Sequence, residues 1–199
     1  MAIRGHVGVL ICILPAGLAT NAKGAAFLAA NKLKSDVTTL PSGLQYRVVE
    51  SGKGAEHPLP GTEASCHYEG RVAQNYPVGA TFDSSFARGE PATFAPNQVI
   101  KGWTEAMQLM VVGDKWELFI PSELGYGDGG AGGDIGPGDA LIFTLHMLEL
   151  KGPGKVLTAD EIASRSAGGG RGARSLGRGR GRGVAGKLGL GRGRSAGEL

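Results

Sequence analysis

The stretch KWELFIPSELGYGDGGAGGDIGPGDALIFTLHMLEL, residues 115–150, decides the fold. Its two ends, residues 115–121 and 140–150, are rich in aromatic and aliphatic side chains and predict two strands. Between them lie eight glycines within the fourteen residues 125–138, together with a single tyrosine, Tyr126. Hairpin connections usually take about two to five residues. A loop this long in a compact domain binds something or is disordered, and this one places Tyr126 beside whatever the two strands enclose.

The rest of the sequence predicts an α+β domain with an antiparallel sheet. VIKGWTEAMQLM, residues 99–110, carries apolar side chains at helical spacing, and AFLAANKLK, residues 26–34, predicts a second short helix. Strand or extended patterns occupy residues 44–50, 62–73, 80–85 and 91–96. We expect about five antiparallel strands with one face packed on a helix and the other in water, because the alternation of a parallel nucleotide-binding sheet is absent.

The N-terminal residues MAIRGHVGVLICILPAGLATNAKG have the pattern of a secretory signal. One arginine precedes an apolar run from Val7 to Leu18, and small residues follow. Cleavage after Ala19 or after Ala22 fits this pattern, and an uncleaved anchor is the alternative. Cleavage at either position sends the chain to a secretory or periplasmic compartment.

The C-terminal residues predict a disordered tail. From Gly154 onward the sequence becomes rich in glycine and arginine with few large apolar residues. Residues 1–162 carry a net charge of −5 and residues 163–199 a net charge of +8. The tail has no interleaved aromatic residues, so we do not expect nucleic-acid binding. A solvated tail is the simplest interpretation, and adhesion to an anionic surface is the alternative.

These observations divide the chain into four segments. We predict a signal peptide at residues 1–22 and a short helix with a linker at 23–39. The globular domain then spans 40–152, and the low-complexity tail spans 153–199.

Several kinds of chemistry are excluded or disfavoured by the residue pattern. The histidines are scattered without the spacing of metal ligands, so we expect no metal site. The G-x-G-x-x-G pattern at residues 125–130 is followed by more glycines and a strand instead of a helix, which argues against a nucleotide cofactor. Loss of the signal removes Cys12 and leaves Cys66, which we expect to be a packed thiol, a reactive one being the alternative.

What remains is an aromatic constellation with a few polar groups. A core explains most of the aromatic side chains, but the polar atoms of Tyr68, Asp83 and Tyr126 need partners when they are buried. Aromatic walls with a few placed hydrogen-bonding groups are typical of a ligand pocket. The aromatic residues concerned are Tyr68, Phe82, Phe94, Trp103, Trp116, Phe119, Tyr126 and Phe143.

HYEGRV, GATFDSSFARGEPATF, VIKGWTEAMQLMVVGDKWELFIPSELGYG and GPGDALIFTLHMLEL, in this order, resemble the FK506-binding-protein class of peptidyl-prolyl cis-trans isomerases. The resemblance runs over about residues 40–150. AFLAANK and LPSGLQYRVVESGKG are similar to the segment that precedes this domain in macrophage infectivity potentiators, a secreted branch associated with virulence.

The resemblance implies five or six antiparallel strands forming a half-barrel around one short helix, with a pocket between them. It implies isomerisation of X-Pro bonds in proline-containing polypeptides, inhibition by FK506- or rapamycin-type macrolides, and no cofactor. Asp83, Tyr126 and Tyr68 would be the catalytic residues, with the Tyr126 hydroxyl and the Ile100 N–H holding peptide carbonyls. The residues implied to bind substrate or macrolide are Phe82, Phe94, Val99, Ile100, Trp103, Ile135 and Phe143.

Some positions depart from the family pattern. Members often have glutamate where Gln98 stands and an aliphatic residue where Asp134 stands. Macrophage infectivity potentiators also carry a long dimerisation helix, whereas about a dozen residues separate the predicted signal from Leu33 here, so we expect a monomer. Two alternatives to an enzyme stay open. One is a proline-binding module with little turnover, and the other is a protein whose basic tail dominates its function by binding an anionic surface to which the domain is only attached.

Overall fold

The structure is a computed structural model of the 199-residue chain, and it describes residues 20–167. Most of the predicted signal and the tail beyond residue 167 lie outside the described residues. Within them, no helix is long and apolar enough to cross a membrane.

The described residues form a mainly antiparallel β-structure with short helices. The helices are α1 (Ala22–Asn31), α2 (Ser85–Arg88), α3 (Lys101–Met107) and α4 (Ala159–Ala167). The strands are β1 (Thr38–Thr39), β2 (Gln45–Glu50), β3 (His57–Pro58), β4 (Ala64–Val72), β5 (Asp83–Ser84), β6 (Ala92–Phe94), β7 (Lys115–Ile120), β8 (Leu141–Leu150) and β9 (Gly154–Lys155). The predicted α+β class is confirmed.

The main sheet has seven strands in the order β1-β2-β7-β8-β4-β5, with β6 also paired to β4. Every pairing is antiparallel, and the longest ladder joins β4 to β8, where Gly70 lies opposite Phe143. Strands β5 and β6 are short and pair with opposite ends of β4. The loop between β7 and β8 therefore emerges beside the segment that carries Asp83.

Helix α3 packs against one face of this sheet, and its small residues allow the close approach. A Cβ added to Gly102 would lie 2.7 Å from Ile120 on β7, so the helix approaches the strand closely at this position. Trp103, Ala106 and Met107 are buried in the same core cluster as Leu118 and other residues of the sheet. The helix is shorter than the predicted 99–110. Val99 is extended and Ile100 is non-helical, with ψ 151°, and at the other end the helix stops at Met107, with Gln108 as its C-cap.

The opposite face of the sheet is covered at one end by α1, so the expectation of water on that whole face was wrong. Leu28 packs in a second cluster with Phe119 and Ile142. The ring of Phe27 lies 5.9 Å from that of Tyr76 and 6.0 Å from that of Phe119. Helix α1 begins four residues before the predicted start at Ala26, because the side chain of Asn21 caps it by accepting a hydrogen bond from the Gly24 N–H.

The prediction of disorder from Gly154 onward was wrong for residues 154–167. Strand β9 pairs with β3, and Leu157 is buried. Helix α4 begins with a reciprocal capping box, in which the Glu161 N–H donates to Thr158 Oγ1 and the Thr158 N–H donates to the Glu161 carboxylate. Composition did not reveal this segment because its stabilising partner, β3, lies nearly a hundred residues earlier in the sequence.

Candidate functional site

A cavity of about 470 Å³ opens between α3, the edge of the sheet and the glycine-rich loop. This volume lies within the range of small-molecule and peptide sites, about 300–1,000 Å³. The residues that line it are Tyr68, Phe82, Asp83, Phe94, Gln98, Val99, Ile100, Trp103, Tyr126 and Phe143.

Trp103 lies at the centre of the aromatic part of this cavity. It is the third residue of α3, and its side chain is buried. Its ring makes edge-to-face contacts with Tyr68, Phe94 and Phe143 at centroid distances of 5.3, 5.6 and 5.1 Å. Phe82 extends the set, 5.6 Å from Phe143. Such edge-to-face pairs hold one another in fixed orientations, so the aromatic surface is pre-formed.

The polar edge of the cavity is a three-residue network. The Tyr68 hydroxyl donates to Asp83 Oδ2 at 2.5 Å, and Arg88 Nη1 donates to Asp83 Oδ1. Arg88 Nη2 also donates to the Tyr68 hydroxyl at 2.9 Å, with the guanidinium 5.6 Å from the centroid of that ring. Both carboxylate oxygens of Asp83 therefore have a hydrogen-bond donor.

Local sequence explains how this network forms. Ser84 caps α2 by accepting from the Ala87 N–H, and Gly89 ends the helix in a left-handed conformation at φ 78°. This single turn brings Arg88 back over Asp83. The buried Ser85 hydroxyl accepts from the Tyr68 N–H at 2.7 Å and so ties α2 to β4.

The electrostatics fix the protonation states of the network. Partial burial disfavours the charged form of Asp83, but hydrogen bonds from Tyr68 and Arg88 and the positive charge of Arg88 outweigh this, so the pKa of Asp83 is lowered. Burial, together with the hydrogen bond to Asp83, raises the pKa of Tyr68. At neutral pH the carboxyl group is ionised and the phenol is neutral, so this pair is poorly suited to proton transfer.

Two further groups at the cavity have unused hydrogen-bonding capacity. Ile100 precedes the first turn of α3, and among the described residues its N–H is bound to no backbone acceptor. Tyr126 is 42% exposed, and within residues 20–167 its hydroxyl has no hydrogen-bond partner. An extended peptide in the cavity could accept hydrogen bonds from both groups.

The structure brings together nine of the ten site residues named from the sequence. Ile135 is the exception, because it does not line the cavity. It is buried in the main core cluster and is paired with Ala131 through two backbone hydrogen bonds of 3.0 and 3.2 Å. Ile135 therefore anchors the glycine-rich loop to the core of the domain. The individual roles implied for these residues stay predictions.

Sequence reasoning missed Arg88 and Gln98 as site residues. Arg88 lies five positions after Asp83, and the signal for it was the sequence SSFARG, in which a capping serine and a terminal glycine bracket one helical turn. Gln98 lines the cavity, and its side-chain Oε1 accepts from the Ala95 N–H at 3.3 Å. From the sequence it stands out only as a departure from the family pattern.

Cys66 is packed as predicted. It is fully buried, and burial raises the pKa of its thiol to about 12. Over the part of the chain that the structure describes, no group of three or more His, Cys, Asp or Glu side chains is placed to hold a metal ion.

Two family models match the chain. Residues 54–148 match the model of the FKBP-type peptidyl-prolyl cis-trans isomerase family. Residues 16–48 match the model of the domain amino terminal to FKBP-type peptidyl-prolyl isomerase. The N-terminal match ends within β2 and includes α1, and the C-terminal match begins just before β3 and contains the whole cavity.

Similar proteins carry related names. The outer membrane protein MIP of Legionella longbeachae is 47% identical over 130 residues, 65% of this chain and 54% of that protein. The macrophage infectivity potentiator of Trypanosoma cruzi is 44% identical over 139 residues, 70% of this chain and 69% of that protein. The chain spans about half the length of the Legionella protein.

Solved structures agree with this similarity. FkpA from Escherichia coli has a TM-score of 0.61 at 37% identity, covering 66% of this chain and 59% of that one. A peptidyl-prolyl cis-trans isomerase from Pseudomonas syringae has a TM-score of 0.57 at 35% identity, covering 64% of this chain and 90% of that one.

Proposed function

The chain belongs to the FKBP-type peptidyl-prolyl cis-trans isomerases, and from that premise we propose that it accelerates rotation about X-Pro peptide bonds. The observation that carries the proposal is the cavity of about 470 Å³ centred on Trp103, with the Tyr68–Asp83 pair at its edge. An apolar, pre-formed surface with few polar groups suits a proline ring and the amide bond that precedes it.

The chemistry requires only that a rotational barrier be lowered. Rotation about a peptide bond costs about 18–20 kcal/mol because resonance is lost in the twisted state. A water-poor aromatic cavity favours the less polar twisted amide over the planar, charge-separated one. Complementarity to the twisted state lowers the barrier, and each factor of ten in rate requires about 1.4 kcal/mol.

The residues then have distinct roles. The Ile100 N–H and the Tyr126 hydroxyl are proposed to donate to carbonyl groups of the bound peptide. Trp103 and Phe143 supply the surface against which the proline ring packs. Asp83, held ionised by Arg88 and Tyr68, acts through its electric field and hydrogen bonding at the edge of the cavity.

We also propose that the protein is secreted through its N-terminal signal and binds FK506-type macrolides in the same cavity. The secretory pattern of residues 1–22 supports export, as does similarity to a protein named outer membrane protein MIP. The name of the Trypanosoma cruzi relative, macrophage infectivity potentiator, supports a role in host interaction.

The test is isomerisation of a short X-Pro peptide by the full chain, with and without a macrolide. Trp103→Leu is expected to lower kcat/KM by about tenfold to a hundredfold, because the surface at the centre of the cavity is lost. Trp116→Leu is the matched control, since Trp116 is buried in the same core cluster, stacks on Tyr46 at 4.3 Å and lies outside the cavity.

Each outcome separates the candidates. Turnover that is inhibited by the macrolide and lost selectively in Trp103→Leu supports the isomerase. Macrolide binding without turnover would leave a proline-binding module. Equal losses in the two tryptophan variants, at matched stability, would mean that the cavity is not the reactive site.

A further inference from the structure

The glycine-rich loop between β7 and β8 is anchored at both ends by two adjacent residues, Thr20 and Asn21. The loop carries Tyr126 to the cavity, yet four of its glycines, at positions 127, 130, 132 and 138, adopt positive φ angles. Such a segment has little intrinsic stiffness. The position of Tyr126 therefore depends on the contacts that hold the loop, which are the burial of Ile135 in the core cluster and the hydrogen bonds at the two loop ends.

Thr20 holds the first end. Its backbone N–H donates to Glu123 Oε1 at 3.1 Å, and its hydroxyl donates to Glu123 Oε2 at 2.8 Å. The Ser122 N–H donates to the same hydroxyl at 2.9 Å. Three hydrogen bonds thus fix residues 122–123, three positions before Tyr126.

Asn21 holds the second end. Its backbone N–H donates to the Gly138 carbonyl at 2.7 Å, and its side-chain Nδ2 donates to Asp139 Oδ1 at 2.7 Å. A weaker bond of 3.4 Å reaches the Pro137 carbonyl. Asp139 in turn accepts from the Gly136 N–H through its other oxygen, at 2.8 Å.

Close packing of α1 keeps these two residues in place. A Cβ added to Gly24 would lie 2.9 Å from the Cβ of Ala140 and 2.8 Å from the side chain of Thr20. The side-chain oxygen of Asn21 caps the same helix, so one asparagine both starts α1 and bonds the loop. We call Thr20 and Asn21 the N-terminal clamp.

We propose that the N-terminal clamp positions the loop over the cavity, and that maturation hydrolyses the bond between Ala19 and Thr20. The first part rests on the proposed function. Cleavage after Ala19 keeps both clamp residues, whereas cleavage after Ala22 removes them together with the cap of α1. The sequence permits either position, and only the first preserves the contacts.

Cleavage after Ala19 also strengthens the clamp. Hydrolysis by a signal peptidase consumes one water, leaving a carboxylate on Ala19 and an ammonium group on Thr20. That ammonium takes the place of a neutral N–H that lies 3.1 Å from Glu123 Oε1. A hydrogen bond between opposite charges is roughly twice as strong as a neutral one, so processing strengthens the contact between Thr20 and Glu123.

The cleavage site is tested by the intact mass of the full chain after secretion from a bacterial host. A mature protein that begins at Thr20 is expected. A protein that begins at Lys23, or one that keeps its signal, overturns the processing half of the proposal. This measurement involves no substrate, so it is independent of whether the protein is an isomerase.

The clamp is tested by Asn21→Asp and Asn21→Ala in the secreted chain. Aspartate caps a helix as well as asparagine does, but it cannot donate to Asp139 and adds a like charge beside it. Hydrogen exchange of the loop amides, residues 125–138, is expected to speed up about two- to tenfold in both variants, the effect of one lost hydrogen bond. kcat/KM is expected to fall by a similar factor.

Thr158→Ala is the matched control, because it removes a helix cap at α4 without contacting the loop. If the loop amides of Asn21→Asp exchange at the same rate as in the unmodified protein and kcat/KM is also unchanged, then Asn21 only caps α1 and the clamp is refuted. Faster loop exchange with unchanged kcat/KM in a protein that is active would also overturn it. Since exchange is read without substrate, failure of the clamp is distinguishable from failure of the isomerase assignment.

Discussion

Gly70→Ala should damage the cavity while leaving most of the fold intact. Gly70 lies in β4, opposite Phe143 on β8 and Asp83 on β5. A Cβ at this position would lie 2.5 Å from the ring of Phe82 and 2.6 Å from that of Phe143. Carbon atoms in contact prefer about 3.5–4.0 Å, so the rings or the strand must move by about 1 Å.

The rings are the groups that move. Strand β4 is hydrogen-bonded along both edges, whereas Phe82 and Phe143 border open space in a cavity of about 470 Å³. Overpacking costs about 1–3 kcal/mol. If that cost falls on the bound state, it corresponds to a roughly fivefold to 150-fold loss of kcat/KM. The free energy of unfolding should change by less than about 1 kcal/mol, because the displaced rings relieve the overpacking.

The assay compares kcat/KM for an X-Pro peptide with the midpoint of denaturant unfolding. Gly61→Ala is the matched control, since no atom lies within 4 Å of a Cβ built there and its φ is not positive. Unchanged kcat/KM in Gly70→Ala, at unchanged stability, would refute the reasoning that these rings line the reactive site. A large loss of stability would instead mean that the strand moves.

Three more predictions follow from the same geometry. Tyr68→Phe removes the hydroxyl that donates to Asp83 and accepts from Arg88, and it should lower kcat/KM about three- to tenfold. Intact macrolide binding would exclude a collapsed cavity. kcat/KM should stay flat between about pH 6 and pH 9, because the pKa of Asp83 is lowered and that of Tyr68 is raised. Asp83 stabilises the fold above its unfolded pKa and stops doing so as pH falls through its folded pKa. This contribution to the free energy of unfolding is small because the Asp83 side chain is 41% exposed. A bell-shaped pH dependence of kcat/KM centred near neutrality would contradict the role of Asp83 as a group that transfers no proton. Leu157→Ala should cost about 2 kcal/mol of stability, and the same change at the exposed Val156 less than about 0.5 kcal/mol; equal midpoints for the two variants would show that residues 154–167 do not dock.

The sequence predicted the central strands well, because their pattern is local. Residues 115–121 and 140–150 were predicted as strands, and β7 and β8 end within a residue of those limits. Runs of apolar and β-branched residues bounded by glycine and proline specify such strands without reference to partners. The residue types and the family resemblance together predicted ten site residues, and nine of these line the one cavity.

The parts that were missed depend on distant partners. Arg88 is a site residue only because one helical turn returns it to Asp83, and an exposed arginine carries no pattern of its own. Ile135 has the composition of a loop residue, yet its burial depends on a turn closed by Ala131. Strand β9 consists of Gly154 and Lys155, and only its pairing with β3 makes it a strand.

The two sides of the cavity differ in what holds them, and this difference explains how substitutions should behave. Trp103 and Phe143 belong to the main core, so their positions are set by the same packing that stabilises the fold. Tyr126 lies on a glycine-rich segment that is held by Ile135 in the core cluster and, near its ends, by Thr20 and Asn21. Truncation of a core-side ring such as Trp103 should therefore alter stability and activity together, whereas Asn21→Asp, which keeps the cap of α1, should alter activity with little effect on global unfolding. Under the proposed function, the rigid aromatic surface would bind the twisted amide, and the tethered loop would allow an extended peptide to enter and leave.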